Sequence, residues 1–536
     1  MKRAYLVPLL LVLPLGCHDD SRNLGASSRR VLPMVALDDS VAYVDSTSGL
    51  AFLLNPADPA LKPRLLPTGK SPVAAEKRKG ANNQLLVLTH GDQGSVSVEA
   101  EPAKLVLIDP ASDADPVNYD LPGRYDRLAQ SDDGAFAILH YGSASSGASG
   151  SMLYNPNDLT VVTFGNNTLK SRPIRSLGSV PTGVSFSPPG STLFGQPRNL
   201  AVVLAANYVT LLDLDQDNRT EITVPLVPDG KRTVTPVQVL FDMARPAIYI
   251  RADGSNDIFQ ISLDQVAPVN QGNDFRVSLS LIGSGSALSD IALFGTGDSA
   301  RLLVTAPDTR QIAVLDPTTG SATSIPTGTQ VNRILLFQGP SPRSVETQDR
   351  ALLVGLGTGE TSLVFADLKD IETAQGLALE SWSITAPVVD ITPLPGNIAL
   401  LSQGAYGNAA LSIVNLGDRT IEPVGSSGAL SNVTIETAAP SRLWGTDHLN
   451  RLEYLDLVDH GQGRLFAGEV IVDRTITSIS PLARQSTDGR RYLVLEMDDP
   501  MNVGYVTVLD ADQPDRKGAR SAHGFLLTDY LERGQP

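Results

Sequence analysis

The chain has 536 residues, a formal charge of −16 and a pI near 4.8. That balance repels phosphate backbones, and no basic stretch interleaved with aromatics offsets it, so nucleic acid is excluded as an expected partner. Hydrophobic residues make up 42% and charged residues 19%, with 46 Gly and 37 Pro, which suits a globular chain of many short strands and turns.

At the N-terminus, Lys2 and Arg3 precede a short apolar run, Ala4–Leu13, too short to span a bilayer. Leu13-Pro14-Leu15-Gly16-Cys17 follows, and Cys17 is the sole cysteine. This stretch resembles a bacterial lipobox, with Pro14 where the lipobox carries Leu. The resemblance implies a signal peptide over residues 1–16, lipidation at Cys17 and attachment to a membrane through that lipid. A lone cysteine has no partner for an intrachain disulfide. Residues 17–30 are polar and read as a flexible tether, followed by the fold over 31–536. The sorting rule that goes with a lipobox takes Asp directly after the cysteine as an inner-membrane signal. His18 stands there, so the expectation is a bacterial cell envelope protein, at the outer membrane rather than the inner.

From residue 32 onward, apolar runs of four to six residues alternate with Gly, Pro, Asp and Asn, which argues strands and excludes an all-helical chain. The runs group into four-strand units of roughly 45–55 residues. Residues 32–69 form a partial set: Val41–Val44, Leu50–Leu54 and Arg64–Leu66. About nine fuller units follow, up to about residue 531. The clearest are Thr182–Phe186, Leu200–Ala205, Tyr208–Leu214 and Thr220–Leu226, then Ser289–Phe294, Ala300–Thr305, Gln311–Leu315 and Ala322–Ile325. Later come Val388–Thr392, Ile398–Leu401, Ala410–Val414 and Thr420–Val424, and then Asn432–Glu436, Arg442–Trp444, Leu452–Leu457 and Gly463–Val472. Many third strands end in Asp or Asn (Asp109, Asn155, Asp316, Asn415), whose side chains can accept from backbone N–H groups two residues on.

Sheets that repeat at this period cannot bury their own faces and must stack on their neighbours. The fold class is therefore all-β: a β-propeller of four-stranded antiparallel blades. With no linker between two halves, one continuous ring of seven or more blades is expected. Gly178–Gly190 with Asn199–Val203, and residues 312–328 for the second half of the unit, resemble the YVTN-type propeller repeat. That resemblance implies the fold and is distantly similar to propeller lactonases and lyases.

No nucleophile, zinc or phosphate-loop motif is present, and no cofactor or metal is expected. Gly355–Gly359 lies between strands and reads as a turn. The acidic run from Asp213 to Asn218 lacks the Gly and Glu of a calcium loop, with Asn218 and Val224 in those places. Two candidate sites remain. His90 with Asp92, and His140 with Tyr141, end second strands in consecutive units beside the long loops Gly91–Ala103 and Gly142–Ser151, and form a candidate binding face. Asp126, Arg127, Asp290 and Arg333 open innermost strands and form a candidate axial polar set, either substrate-facing or paired between blades. The expectation is a lipid-anchored envelope propeller that acts without catalysis as a scaffold for a protein or polysaccharide. The alternative is a lactonase- or lyase-type enzyme using the axial set.

Overall fold

Each second strand carries an apolar run because both of its faces are covered there. In Leu200–Ala205 all six residues are buried. Leu200, Val202 and Leu204 join the cluster shared with the following sheet, and Ala201 and Val203 join the cluster shared with the preceding one. Alternation thus sends successive side chains of one strand to two different interfaces. Fourth strands have one free edge and alternate with solvent, as in Ala322–Pro326.

The computed structural model describes residues 29–527, except 81, 93–100, 143–154, 166–168, 175–177, 217–219, 228–231, 268–272, 342–343, 395–396, 405–409, 426–429, 431, 437–441, 448, 458–463, 466–467, 485–487 and 515. The signal, Cys17, most of the tether and the tips of both long loops lie outside the described residues. Ten antiparallel sheets of four consecutive strands follow one another along the chain. Blades 1–5 run Val35–Pro67, Pro72–Asp120, Arg127–Ile174, Pro181–Pro225 and Thr235–Gly283. Blades 6–10 run Asp290–Pro326, Arg333–Ser383, Val388–Gly425, Asn432–Ile471 and Ile476–His523. First strands of neighbouring blades run beside one another around the axis. The ring is single. The partial set at residues 32–69 is a full blade whose first strand, Val35–Ala36, is only two residues long.

Ten hydrophobic clusters fill ten blade-to-blade interfaces, and the last closes the circle. There Val41, Tyr43, Phe52 and Leu54 of blade 1 pack on Tyr492, Val494, Val506 and Val508 of blade 10. Blade 1 comes wholly from the N-terminal part of the described chain and blade 10 wholly from the C-terminal part, so packing and polar bonds make the closure. Asp38 joins Arg484 of blade 10 at 2.9 Å and Lys77 of blade 2. Arg520 donates to the carbonyls of Pro56 and Asp58.

Because strands alternate in direction, the turns between second and third strands and the links between blades share one face. Val31 bridges to Asp45 at the end of a second strand, so the chain begins its first blade on that face. Phe525–Leu527 follows the last fourth strand onto the same face, where the Arg29 guanidinium donates to the Leu526 carbonyl and lies 3.6 Å from Asp45. We call this the chain-end face.

The opposite face carries a device that recurs in half of the blades. An Arg at the start of the second strand pairs with the Asp ending the third: Arg198–Asp213 at 2.5 Å, Arg301–Asp316 at 3.7 Å, Arg350–Asp367 at 2.6 Å, Arg442–Asp456 at 2.5 Å and Arg490–Asp510 at 4.0 Å. The turn bonds expected of these residues are present as well. Asp316 accepts from the Thr318 amide at 2.8 Å, Asp109 from Ala111 at 3.0 Å and Asn415 from Gly417 at 3.0 Å. In Asp213, Asp316 and Asp510 one oxygen serves the turn and the other the arginine.

Two units depart from their expected strands. In blade 3, Asn155 precedes the third strand, Leu159–Phe164, instead of closing it. The segment expected as a single fourth strand, Gly463–Val472, is split. Arg464–Leu465 pairs in parallel with the outer strand of blade 8, and Gly468–Ile471 completes blade 9.

Candidate functional site

The two sets of residues singled out in the sequence meet in part, at the junction of blades 2 and 3. His90 directly follows the second strand of blade 2, and its Nε2 lies 3.1 Å from the Tyr125 carbonyl of the next blade. His140 ends the second strand of blade 3, is buried, and holds its Nδ1 3.0 Å from the Tyr141 carbonyl. Tyr141 is buried too, its ring 5.0 Å from that of Tyr125, whose hydroxyl bonds Thr160 at 2.8 Å. Asp92 pairs with Lys70 at 3.0 Å.

Asp126 accepts from the Gly142 amide at 2.5 Å, and Arg127 stands opposite His140 in the sheet. Burial is the largest influence on both imidazoles and holds them below the usual histidine range. The negative charge of Asp126 pulls both the other way. Both histidines thus favour the neutral ring and bond backbone carbonyls at strand ends, His140 buried and His90 half-buried. Among the described residues, no three His, Cys, Asp or Glu side chains converge in a metal-binding arrangement.

Asp290 and Arg333 sit elsewhere in the ring, in blades 6 and 7, and do not join Asp126 and Arg127. Asp290 is buried and links three blades. It accepts from the Gln238 amide of blade 5 at 2.8 Å and from the Ile334 N–H of blade 7 at 2.8 Å, with the Arg333 guanidinium 3.9 Å away. Gln238 in turn donates to the Ile291 carbonyl and accepts from the Ile291 amide and Arg251. Asp290 and Arg333 thus face one another between blades, whereas Asp126 bonds the Gly142 amide.

The acidic run near Asp213 is also structural. Asp213 holds Arg198, and Asp215 accepts from the backbone and side chain of Asn199 at 2.7 and 2.9 Å.

A further concavity lies where the sequence gives no signal. A cavity of about 710 Å³ opens between the first strands of blades 8, 9 and 10, within the range usual for ligand pockets. Its apolar wall is Leu394, Leu400 and Leu411 of blade 8 with Leu430, Val433 and Ile435. Its polar lining is Asp390, Thr392, Ser402, Asn432, Thr434 and the Thr477–Ser478 pair. Asn432 is spent on the Thr477 carbonyl at 2.9 Å, and Thr477 on the Glu496 carbonyl at 3.1 Å. Within the described residues, Asp390, Thr392, Ser402, Thr434 and Ser478 make no side-chain hydrogen bond or ion pair.

A β-bulge between Val388 and Asp390 re-aims the start of the blade 8 strand. A similar bulge, one or two residues into the first strand, occurs in blades 2, 4, 5 and 10, so it belongs to the fold rather than to this cavity.

No family model matches the chain, and no curated protein does. Solved structures with similarity include dihydro-heme d1 dehydrogenase NirN in complex with DHE, at 12% identity, covering 83% of this chain and 77% of that one with a TM-score of 0.39. AztD from Citrobacter koseri is similar at 12% identity over 81% and 94% of the two chains, with a TM-score of 0.34. A streptogramin B lyase is similar at 13% identity over 59% and 88%, with a TM-score of 0.32. At these identities the likeness concerns the propeller shape and bears on no residue of the site.

Proposed function

We propose that this chain is a lipid-anchored propeller of the bacterial cell envelope that acts without catalysis as a binding scaffold for a protein or polysaccharide partner. The observation that carries the reading is how the polar groups are used. His90, His140, Asp126 and Asp290 are engaged in bonds that hold strands and blades, whereas the unspent polar groups line an open cavity at the axis. A rigid ring with an open, sparsely charged cavity suits recognition better than proton or group transfer. The lactonase or lyase alternative would need Asp126, Arg127, Asp290 and Arg333 around one substrate, and they occupy two separate sectors.

The anchoring part of the reading rests on the residues around Cys17. The described chain begins at Arg29 on the chain-end face, so a lipid at Cys17 would draw that face toward the membrane and leave the opposite face open. The outer membrane is the proposed location. Crosslinking followed by capture of the protein from detergent-solubilised envelopes tests the scaffold. A specific, stoichiometric partner is expected. Failure to recover one, together with turnover of a lactone, would defeat the reading. Cys17→Ser should move the protein from the membrane to the soluble fraction.

A further inference from the structure

We propose that the cavity between blades 8 and 9 receives a polypeptide segment that presents an aliphatic side chain beside a Lys or Arg. This deepens the scaffold reading and rests on it, choosing protein over polysaccharide.

The cavity's chemistry makes the choice. Its wall is aliphatic, and Leu394, Val433 and Ile435 on it are only half-buried, so a leucine-like side chain entering the cavity removes their remaining apolar surface from water. Among the described residues, no Lys, Arg or His lines the cavity. Its one formal charge is the carboxylate of Asp390, which is exposed and makes no ion pair or hydrogen bond among the described residues. On a chain of net charge −16, that site attracts a cation and repels an anion.

The hydroxyls of Thr392, Ser402 and Thr434 are free to donate to carbonyls or accept from amides, the groups a main chain offers in alternation. A sugar would find those hydroxyls as well, but among the described residues no aromatic ring lines the cavity for the face of a pyranose to lie on.

The test uses the purified full chain and fluorescein-labelled peptides of alternating Lys and Leu, or Glu and Leu, read by fluorescence anisotropy at low salt, with maltohexaose as competitor. The Lys–Leu peptide is expected to bind at least about tenfold more tightly than the Glu–Leu peptide. Asp390→Asn should weaken it by about tenfold, and Ser402→Met, which fills the wedge, by a similar factor. Melting temperatures of both variants should match the parent, so that a loss of binding reports the site.

Equal binding of the two peptides overturns the proposal, as does undiminished Lys–Leu binding in both variants. Displacement of the peptide by maltohexaose overturns it in favour of a polysaccharide. The scaffold reading fails separately. If both variants still capture the crosslinked envelope partner, the scaffold stands and this site falls. If no partner is captured and a lactone is turned over, the scaffold itself falls.

Discussion

The axial rim of blades 5–7 and that of blades 8–10 are built from the same kind of strand, yet they use their polar residues in opposite ways. In the first sector Asp290 accepts from Gln238 on one side and from the Ile334 amide on the other, so three blades are tied through one carboxylate. In the second, Asp390 opens the corresponding strand of blade 8 and bonds to nothing described, while the neighbouring hydroxyls face an open wedge. A buried carboxylate with three partners is a structural tie; an exposed carboxylate with none, beside an apolar cavity, is available to a ligand. In this molecule a polar residue near the axis is therefore read by whether its bonds are already made.

The contrast can be broken first at its structural end. Arg350 is fully buried against Asp367 and lies over the rings of Phe337 and Phe365. Arg350→Ala strands the Asp367 carboxylate and should cost about 3–5 kcal/mol in urea unfolding. Replacing both residues by a well-packed apolar pair should recover most of that loss. An unchanged midpoint in Arg350→Ala would mean the clasp contributes little.

Acid tests the histidines next. Burial lowers the His140 imidazole from its ordinary value of 6.5, so the folded state favours the neutral ring. Between 6.5 and that lower native value the unfolded chain binds the extra proton. Stability should therefore be full above this window and fall as pH drops through it. His140→Gln, measured at about pH 7.5 and about pH 5, should reduce the acid loss. An unaltered slope would place the proton elsewhere.

Glu496 gives a smaller effect of opposite sign. Burial raises its carboxyl above the ordinary 4.5, and it in turn helps raise Tyr43 across the closing interface, where burial is again the larger cause. Its contribution is fully present below 4.5 and is lost as pH rises through the native value. Glu496→Gln should thus raise the melting temperature slightly at neutral pH and leave it unchanged in acid. A lower melting temperature at neutral pH would show that the charged form has a partner worth keeping.

Much of the architecture was legible in the sequence, because its signals are local. Short apolar runs and the Asp or Asn closing many third strands mark hairpins within a dozen residues, so the central units emerge with nearly their observed bounds. Blade 1 was legible only in part, since a two-residue first strand has no periodicity to detect. The split at Arg464–Leu465 escaped because nothing in that segment says which of two blades it will join.

The Arg–Asp clasps were legible in half. The Asp announces itself through its turn, while its arginine lies a hairpin upstream and carries no mark. The cavity was not legible at all. It depends on how blades 8, 9 and 10 pack along their first strands rather than on Thr392, Ser402 or Val433 in their own strands. His90 and His140 drew notice by residue type and register. The burial of His140 and the carbonyl bond of half-buried His90 are properties of the ring.

Melting temperatures of Asp290→Ala and Asp390→Ala, taken side by side, test the distinction most directly. The first should fall by at least about 2 °C, because Gln238 and the Ile334 amide lose their acceptor, and the second should stay within about 1 °C of the parent. Equal losses, or a larger loss at Asp390, would show that the wedge residue also holds the ring together and would contradict the account.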